Sequence, residues 1–367
     1  MSNTYKQSTN EQAIEIVNLD ELQERAKAII PAGGFGYISS GSEDEWTLRA
    51  NREAFNHKLI VPRSLTDMEK PLIDTSIFGI PLKTPVMMAP TAAQGLAHIE
   101  GEADTARGVA AVGGLMAQST YSSRTITETT TAGNGAPQFF QLYMSKDWSF
   151  NNALLDQAKA AGIKAIILTV DATVGGYREA DVRNKFSFPI PMANLENFSK
   201  DNGEGKGISE IYAAAAQKIS PKDIARIANY TDLPVIVKGI QSPEDAELAI
   251  SSGAAGVYVS NHGGRQLNGG PASFDVLASV AQVVNHRVPV IFDSGIRRGS
   301  HVFKALASGA DLVAFGRPAI YGLALGGAQG VQSVFEHIDD ELKIVMQLAG
   351  TQTIAAVKQT KLLDNHF

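Results

Sequence analysis

PVIVKGIQSPEDAELAISSGAAGVYVSNHGGRQ, Pro234 to Gln266, contains the unit from which the fold is read. An apolar run, Pro234-Val235-Ile236-Val237, ends in Lys238. A helical pattern follows from Pro243 to Ser251 and stops at Ser252-Gly253. A second apolar run, Gly256-Val257-Tyr258-Val259, ends in Ser260. Continuous apolar runs of this length suit strands buried on both faces, as in a parallel sheet covered by helices. Glycine just past a helix supplies the left-handed turn that ends it.

The unit recurs on both sides. Val86 to Ala89, Gly114 to Ala117, Phe139 to Tyr143 and Ala165 to Thr169 precede it, and Pro289 to Asp293 and Asp311 to Phe315 follow, giving eight runs in all. Helical patterns such as Asp156 to Ala161 and Gly299 to Ser308 lie between them. Eight strand–helix repeats argue for a (β/α)8 TIM barrel; a doubly wound open sheet is the alternative with the same strand count. Upstream, Leu19 to Ile30 reads as a helix stopped by Pro31 and Gly33-Gly34, and Asp44 to Asn56 as a second. Residues 1–16 read as a flexible tail ahead of a single domain, 17–367. Between the fourth and fifth strands, Thr173 to Lys218 is too long for an ordinary loop, and a lid over the barrel mouth is expected there.

Composition narrows the chemistry. The chain has 367 residues, 44% hydrophobic and 19% charged, so it can bury a large core. It has no cysteine, which excludes disulfides, thiolate metal sites, iron–sulfur clusters and a cysteine nucleophile. No metal is called for. The net charge of −6 gives no footprint for nucleic acid. No apolar stretch is long enough to span a membrane, and the polar start, MSNTYKQSTNEQAIEIVN, lacks a signal peptide's apolar core. A cytoplasmic location without membrane attachment is expected.

The residues that follow each run carry the function. At the C-terminal ends of barrel strands, polar groups read as site residues. Any one of them, Ser119 for example, reads equally well as a helix cap; a polar or special residue after nearly every run does not. SNHGGRQ, Ser260 to Gln266, places His262 and Arg265 on a glycine turn. A histidine takes a proton near neutral pH, and an arginine holds a carboxylate through two parallel bonds. TVDATVGGYR puts Asp171 where it can orient a histidine from a neighbouring strand, and brings Arg178 on the long loop, whose plain reading is a surface arginine. FDSGIRRG and AFGRP bring Arg297, Arg298 and Arg317 to glycine-rich turns that open helices, an arrangement that favours an anion such as phosphate, whereas Asp293 would repel phosphate and suits a ribityl or ribose hydroxyl. Lys238 fits either a Schiff base, as in aldolases, or a partner for charge developing on a cofactor.

Together these motifs resemble the FMN-dependent 2-hydroxy-acid oxidase and dehydrogenase family. SNHGGRQ matches its active-site signature, and GGFGYISSGSEDEWT, APTAAQGLAH, QLYMSKD and KALASGADLVAFGRP extend the likeness from about Val17 to the C-terminus. The resemblance implies FMN as cofactor and oxidation of a small L-2-hydroxy acid, L-lactate to pyruvate, with O2 reduced to H2O2. It implies His262 as base with Asp171 beside it, and Arg178 and Arg265 on the substrate carboxylate with Tyr37. Tyr143 would bond substrate and Tyr212 would close over it. Tyr121, where glycolate-oxidising members tend to carry tryptophan, suggests room for a methyl side chain. For FMN it implies Pro90, Thr91 and Ala92 along N5, and Ser119, Gln141, Thr169 and Ser260 on the ring or ribityl chain. Lys238 would lie near N1 and Asp293 on ribityl hydroxyls, with Gly295, Arg297, Gly316 and Arg317 on the phosphate. Ala92 matches oxidases, where a monooxygenase branch has glycine. Phe188 stands where a related oxidase has tyrosine. A homotetramer or octamer is implied as well.

Overall fold

The computed structural model of the chain describes residues 5–196 and 202–365. Eight parallel strands close into a barrel: β1 (Val86–Met88), β2 (Leu115–Ser119), β3 (Gln138–Leu142), β4 (Ile166–Thr169), β5 (Val235–Ile240), β6 (Gly256–Val259), β7 (Val290–Phe292) and β8 (Leu312–Phe315). Each pairs with its successor, and β8 returns to β1 with Val313 opposite Val86. Closure removes the open sheet as an alternative.

The barrel explains why the runs are apolar throughout. Alternate side chains, among them Met87, Leu115, Ala117, Phe139, Ile167, Ile236, Tyr258 and Ile291, fill the interior. Those between them, Val86, Met88, Met116, Phe140, Leu168 and Val257, pack outward against helices. A hairpin, Thr75–Ile77 with Ile80–Leu82, turns through Phe78 and Gly79 and adds Ile77 and Leu82 to the interior cluster.

Helix boundaries follow local chemistry. The first helix is Leu19–Lys27, opened by Asn18, whose side chain accepts from Glu21 N. The stretch expected as a helix from Asp44 begins only at Trp46 because Glu45 has φ 64°, and it ends at Glu53, continuing as a tighter 3-10 turn over Ala54–His57. The helix read at Asp156 to Ala161 already starts at Trp148, capped by Asp147. Pro243–Ser251 forms as expected, with the Ser242 side chain accepting from Asp245 N.

Residues 5–16, expected as a tail, instead lie along the barrel; residues 1–4 are outside the described residues. Tyr5 donates to Leu96 O at 2.7 Å and Ser8 to Ala324 O at 2.7 Å. The reason lies in the long helix Arg317–Ala349, which breaks at Gly326 and Gly327. Gln12 N donates to Gly326 O at 3.2 Å, and a Cβ on Gly326 would come within 2.1 Å of Gln12 O. The strap occupies the break through its backbone.

The segment after β4 is not a plain loop. Short helices Glu179–Arg183, Ala193–Glu196 and Ile208–Ala213 lie within it, and residues 197–201 of the expected lid are outside the described residues.

Candidate active site

Past β6 the chain turns through three left-handed residues, His262 (φ 59°), Gly263 (φ 66°) and Gly264 (φ 73°). A Cβ on Gly264 would sit 2.6 Å from Leu48 N, so glycine is required there. Asn261 and Asn51 exchange amide bonds of 2.8 and 2.7 Å, and Asn261 Oδ1 accepts from Gly264 N. The turn is thereby pinned with His262 facing the mouth.

His262 Nδ1 lies 3.1 Å from Asp171 Oδ1, and Nε2 lies 3.0 Å from the Tyr143 hydroxyl. Burial pushes the imidazole below its ordinary value, more than the Asp171 charge restores, so it rests neutral. Burial alone would raise Asp171, but the imidazole bonded to it and the charge of Lys238 hold it below the usual carboxylate range. An ionised Asp171 only accepts, so Nδ1 carries the proton and Nε2 presents its lone pair to the cleft. Burial raises Tyr143 well above its ordinary value, which keeps its O–H a donor.

The cleft encloses about 1030 Å³ of empty space at the C-terminal mouth. Tyr37, Pro90, Thr91, Ala92, Tyr121, Tyr143, Arg178, Tyr212, Lys238, His262, Arg265, Asp293, Gly295, Arg297, Gly316 and Arg317 all line it. Tyr121 stacks on Tyr143, with centroids 4.9 Å apart, and Tyr212 meets Tyr143 edge-on at 6.2 Å. Five expected residues do not line the cleft. Asp171 lies behind His262. Ser260 accepts from Lys238 Nζ at 3.0 Å and from His262 N at 3.0 Å. Ser119 donates to Gln141 Oε1 at 3.1 Å, and Gln141 Nε2 donates to Thr169 at 2.9 Å, forming a buried polar row across β2, β3 and β4.

Positive charge dominates the mouth. Arg265 donates to Ser40 O, Arg297 to Ile296 O, and Arg317 to Ile38 O, Gly263 O and Ser40 O. Among the described residues none of these three has a carboxylate within ion-pair distance. Burial, with Arg265 and Arg297 nearby, lowers Arg317 to about 9. Lys238 has Asp293 at 3.9 Å, and Arg178 has Asp181 at 3.0 Å. Arg297 and Arg317 adjoin the starts of the helices Gly299–Ala307 and Arg317–Ala349, ends that favour an anion; at the first, the Glu341 carboxylate already accepts from Gly299 N at 2.7 Å.

Several contributors were not anticipated. Ser294 accepts from Gly263 N and donates to Asp293, joining two strand ends, and its only signal was its place in FDSGIRRG. The carbonyls of Ile38 and Ser40, and the carboxylate of Asp181, had no signal at all.

An imidazole on a carboxylate, one lysine and four arginines, two of them buried, at the mouth of a parallel barrel define an enzyme for an acid substrate, with a place for a second anion. The chain belongs to the FMN-dependent dehydrogenase family, whose model matches residues 26–364. It is 74% identical to L-lactate oxidase of Lentilactobacillus hilgardii, over 100% of this chain and 99% of that one. It is 41% identical to glycolate oxidase of Spinacia oleracea, over 95% and 96%. A solved lactate oxidase from Pediococcus acidilactici superposes with a TM-score of 0.96 at 69% identity, covering all of both chains, and a mandelate oxidase with 0.89 at 33%, covering 96% and 99%.

Proposed function

We propose that the chain oxidises L-lactate to pyruvate with FMN as cofactor and O2 as acceptor, producing H2O2. The observation that carries this reading is His262, tied through Nδ1 to Asp171 and set with Nε2 3.0 Å from the Tyr143 hydroxyl, in the cleft that Arg178 and Arg265 line.

The cleft fits FMN. Arg297, buried, and Arg317, half-buried, have no carboxylate within ion-pair distance among the described residues and suit its phosphate. The carboxylate of Asp293 would repel phosphate but accepts from ribityl hydroxyls. Gly295 and Gly316 allow close approach. Pro90, Thr91 and Ala92 line the cleft and would wall the ring system, with the row Ser119–Gln141–Thr169 and Ser260 behind that lining. Lys238 supplies a cation for the ring. When bound, FMN takes two electrons from the carbinol carbon and delivers them to O2.

The chain's own residues do the rest. Arg178 and Arg265, with the Tyr37 hydroxyl, grip the carboxylate and fix the carbinol carbon in place, which lowers the barrier by orientation. His262 Nε2 accepts a proton from the substrate, and Asp171 stabilises the imidazolium that forms. Tyr143 directs the hydroxyl. Tyr121 limits the side chain, and Tyr212, with Phe188, Ile208 and Ile211, roofs the cleft and excludes water.

The aldolase alternative is weaker. Lys238 is tied to Ser260 and lies near Asp293, a setting for a held cation rather than a free amine. A cytoplasmic homotetramer or octamer belongs to the same reading. Exposed Leu65, Ile344 and Leu348 offer apolar surface to bury, and among the described residues no helix is long and apolar enough to cross a membrane.

An anaerobic visible spectrum tests the function. Yellow absorbance that bleaches with L-lactate and returns in air with peroxide is expected. Slow recovery in air would assign another acceptor, acetate in place of pyruvate would assign a monooxygenase, and no bleaching would end the reading.

A further inference from the structure

The segment after β4 carries its own support for the arginine it adds to the cleft. Arg178 Nε lies 3.0 Å from Asp181 Oδ2, one turn on in the helix Glu179–Arg183, with the two side chains 4% and 9% exposed. The approach is off the N–H axis, so among the described residues neither Asp181 oxygen nor Arg178 Nε completes a hydrogen bond. A buried ion pair gives up hydration on both sides and is poor evidence for stability, so a specific role is the better account of it. The contact uses the ε nitrogen. The terminal nitrogens, which make the fork for a carboxylate, are left to the cleft that Arg178 lines.

Asp181 also acts through its backbone. Its carbonyl accepts from Phe186 N at 2.9 Å. Phe186 stacks on Tyr37 with centroids 5.1 Å apart, and Phe188 meets Tyr37 edge-on at 5.1 Å. The Tyr37 ring in turn has Arg178 at 5.3 Å and Arg265 at 4.9 Å. Two cations therefore lie against one aromatic ring, and Asp181 is the acidic group beside them. Its charge partly offsets the repulsion that Arg178 exerts on Arg265.

We propose that Asp181 is a positioning residue for the substrate carboxylate. It holds Arg178 by Nε, keeps that guanidinium close to Arg265, and anchors the aromatic platform beneath Tyr37. The proposal rests on the reading of Arg178 and Arg265 as the carboxylate clamp. A carboxylate placed on the terminal nitrogens would compete with substrate; one placed on Nε orients the fork and leaves it open.

Steady-state kinetics on the FMN-loaded protein test this. Asp181→Asn should raise KM for L-lactate about tenfold while kcat changes less than about threefold. Anaerobic binding of pyruvate, followed by its perturbation of the flavin spectrum, should weaken in parallel. Asp181→Glu keeps the charge and should recover part of the loss, and it serves as the informative variant if Asp181→Asn does not fold. In an Arg178→Lys background, which lacks Nε, Asp181→Asn should change KM less than about twofold. An unchanged KM in Asp181→Asn with FMN bound, or the same loss in both backgrounds, overturns the proposal. An unchanged KM in Arg178→Lys alone overturns the clamp reading beneath it.

Discussion

His262 has one neighbour on each nitrogen, and each has a distinct consequence. Asp171 fixes the tautomer, and burial keeps the ring neutral. His262→Gln should keep FMN bound but slow flavin reduction by L-lactate by about 10²–10⁴-fold, measured by anaerobic stopped flow. The base must be unprotonated, so kcat/KM rises with pH through its pKa. Burial lowers that pKa, so the acid limb should lie below the ordinary 6.5. A limb above that value would mean that the Asp171 charge outweighs burial. At this scale the sequence exposed what strand ends display: His262, Arg265, Lys238 and Asp293 each follow an apolar run. It did not expose Asp181, because a buried acid three residues from an arginine in a charged stretch looks the same as a solvated ion pair.

The elements were legible where both faces are buried. Every barrel strand left a continuous apolar run, and only the ends shifted, as at Glu45, where a left-handed residue delays the helix. The strap at 5–16 was not legible. It is held by backbone and polar contacts to a helix break, and neither leaves a hydrophobic period. The same helix, Arg317–Ala349, carries Asp339, which accepts from the Thr84 hydroxyl at 2.6 Å just ahead of β1. Burial raises its carboxyl to about 7, against 3.8 for the ordinary group. Between those values the folded chain keeps a proton that the unfolded chain releases. The contribution is therefore greatest below pH 3.8 and is lost as pH rises to about 7. Asp339→Asn should stabilise by on the order of 2 kcal/mol more at about pH 8 than at about pH 5, read by urea unfolding. A pH-independent difference would mean that Asp339 is already ionised in the fold.

At the scale of the molecule, the strap joins parts of the barrel far apart in sequence. Tyr5 reaches the segment after β1, Ser8 the first half of the helix Arg317–Ala349, and Gln12 its break. A chain begun at Ala13 loses these three contacts together with the bonds from Gln7 to Gly95 O and from Ile99 N to Ser8 O, and should be less stable by about 5 kcal/mol, taking about 1 kcal/mol for each bond. Calorimetry checks this, and an unchanged melting temperature would show that water replaces the strap at no cost. The cationic mouth also bears on handling. Four guanidinium groups and an ammonium face inward, with carboxylates beside only two of them, so the barrel mouth behaves as a small anion exchanger. Stripped of FMN and stored in a vial, the protein will load it from the buffer. Dilute phosphate should preserve the protein better than chloride at equal ionic strength, and equal shelf life in the two would mean that the surrounding carbonyls already neutralise the charge.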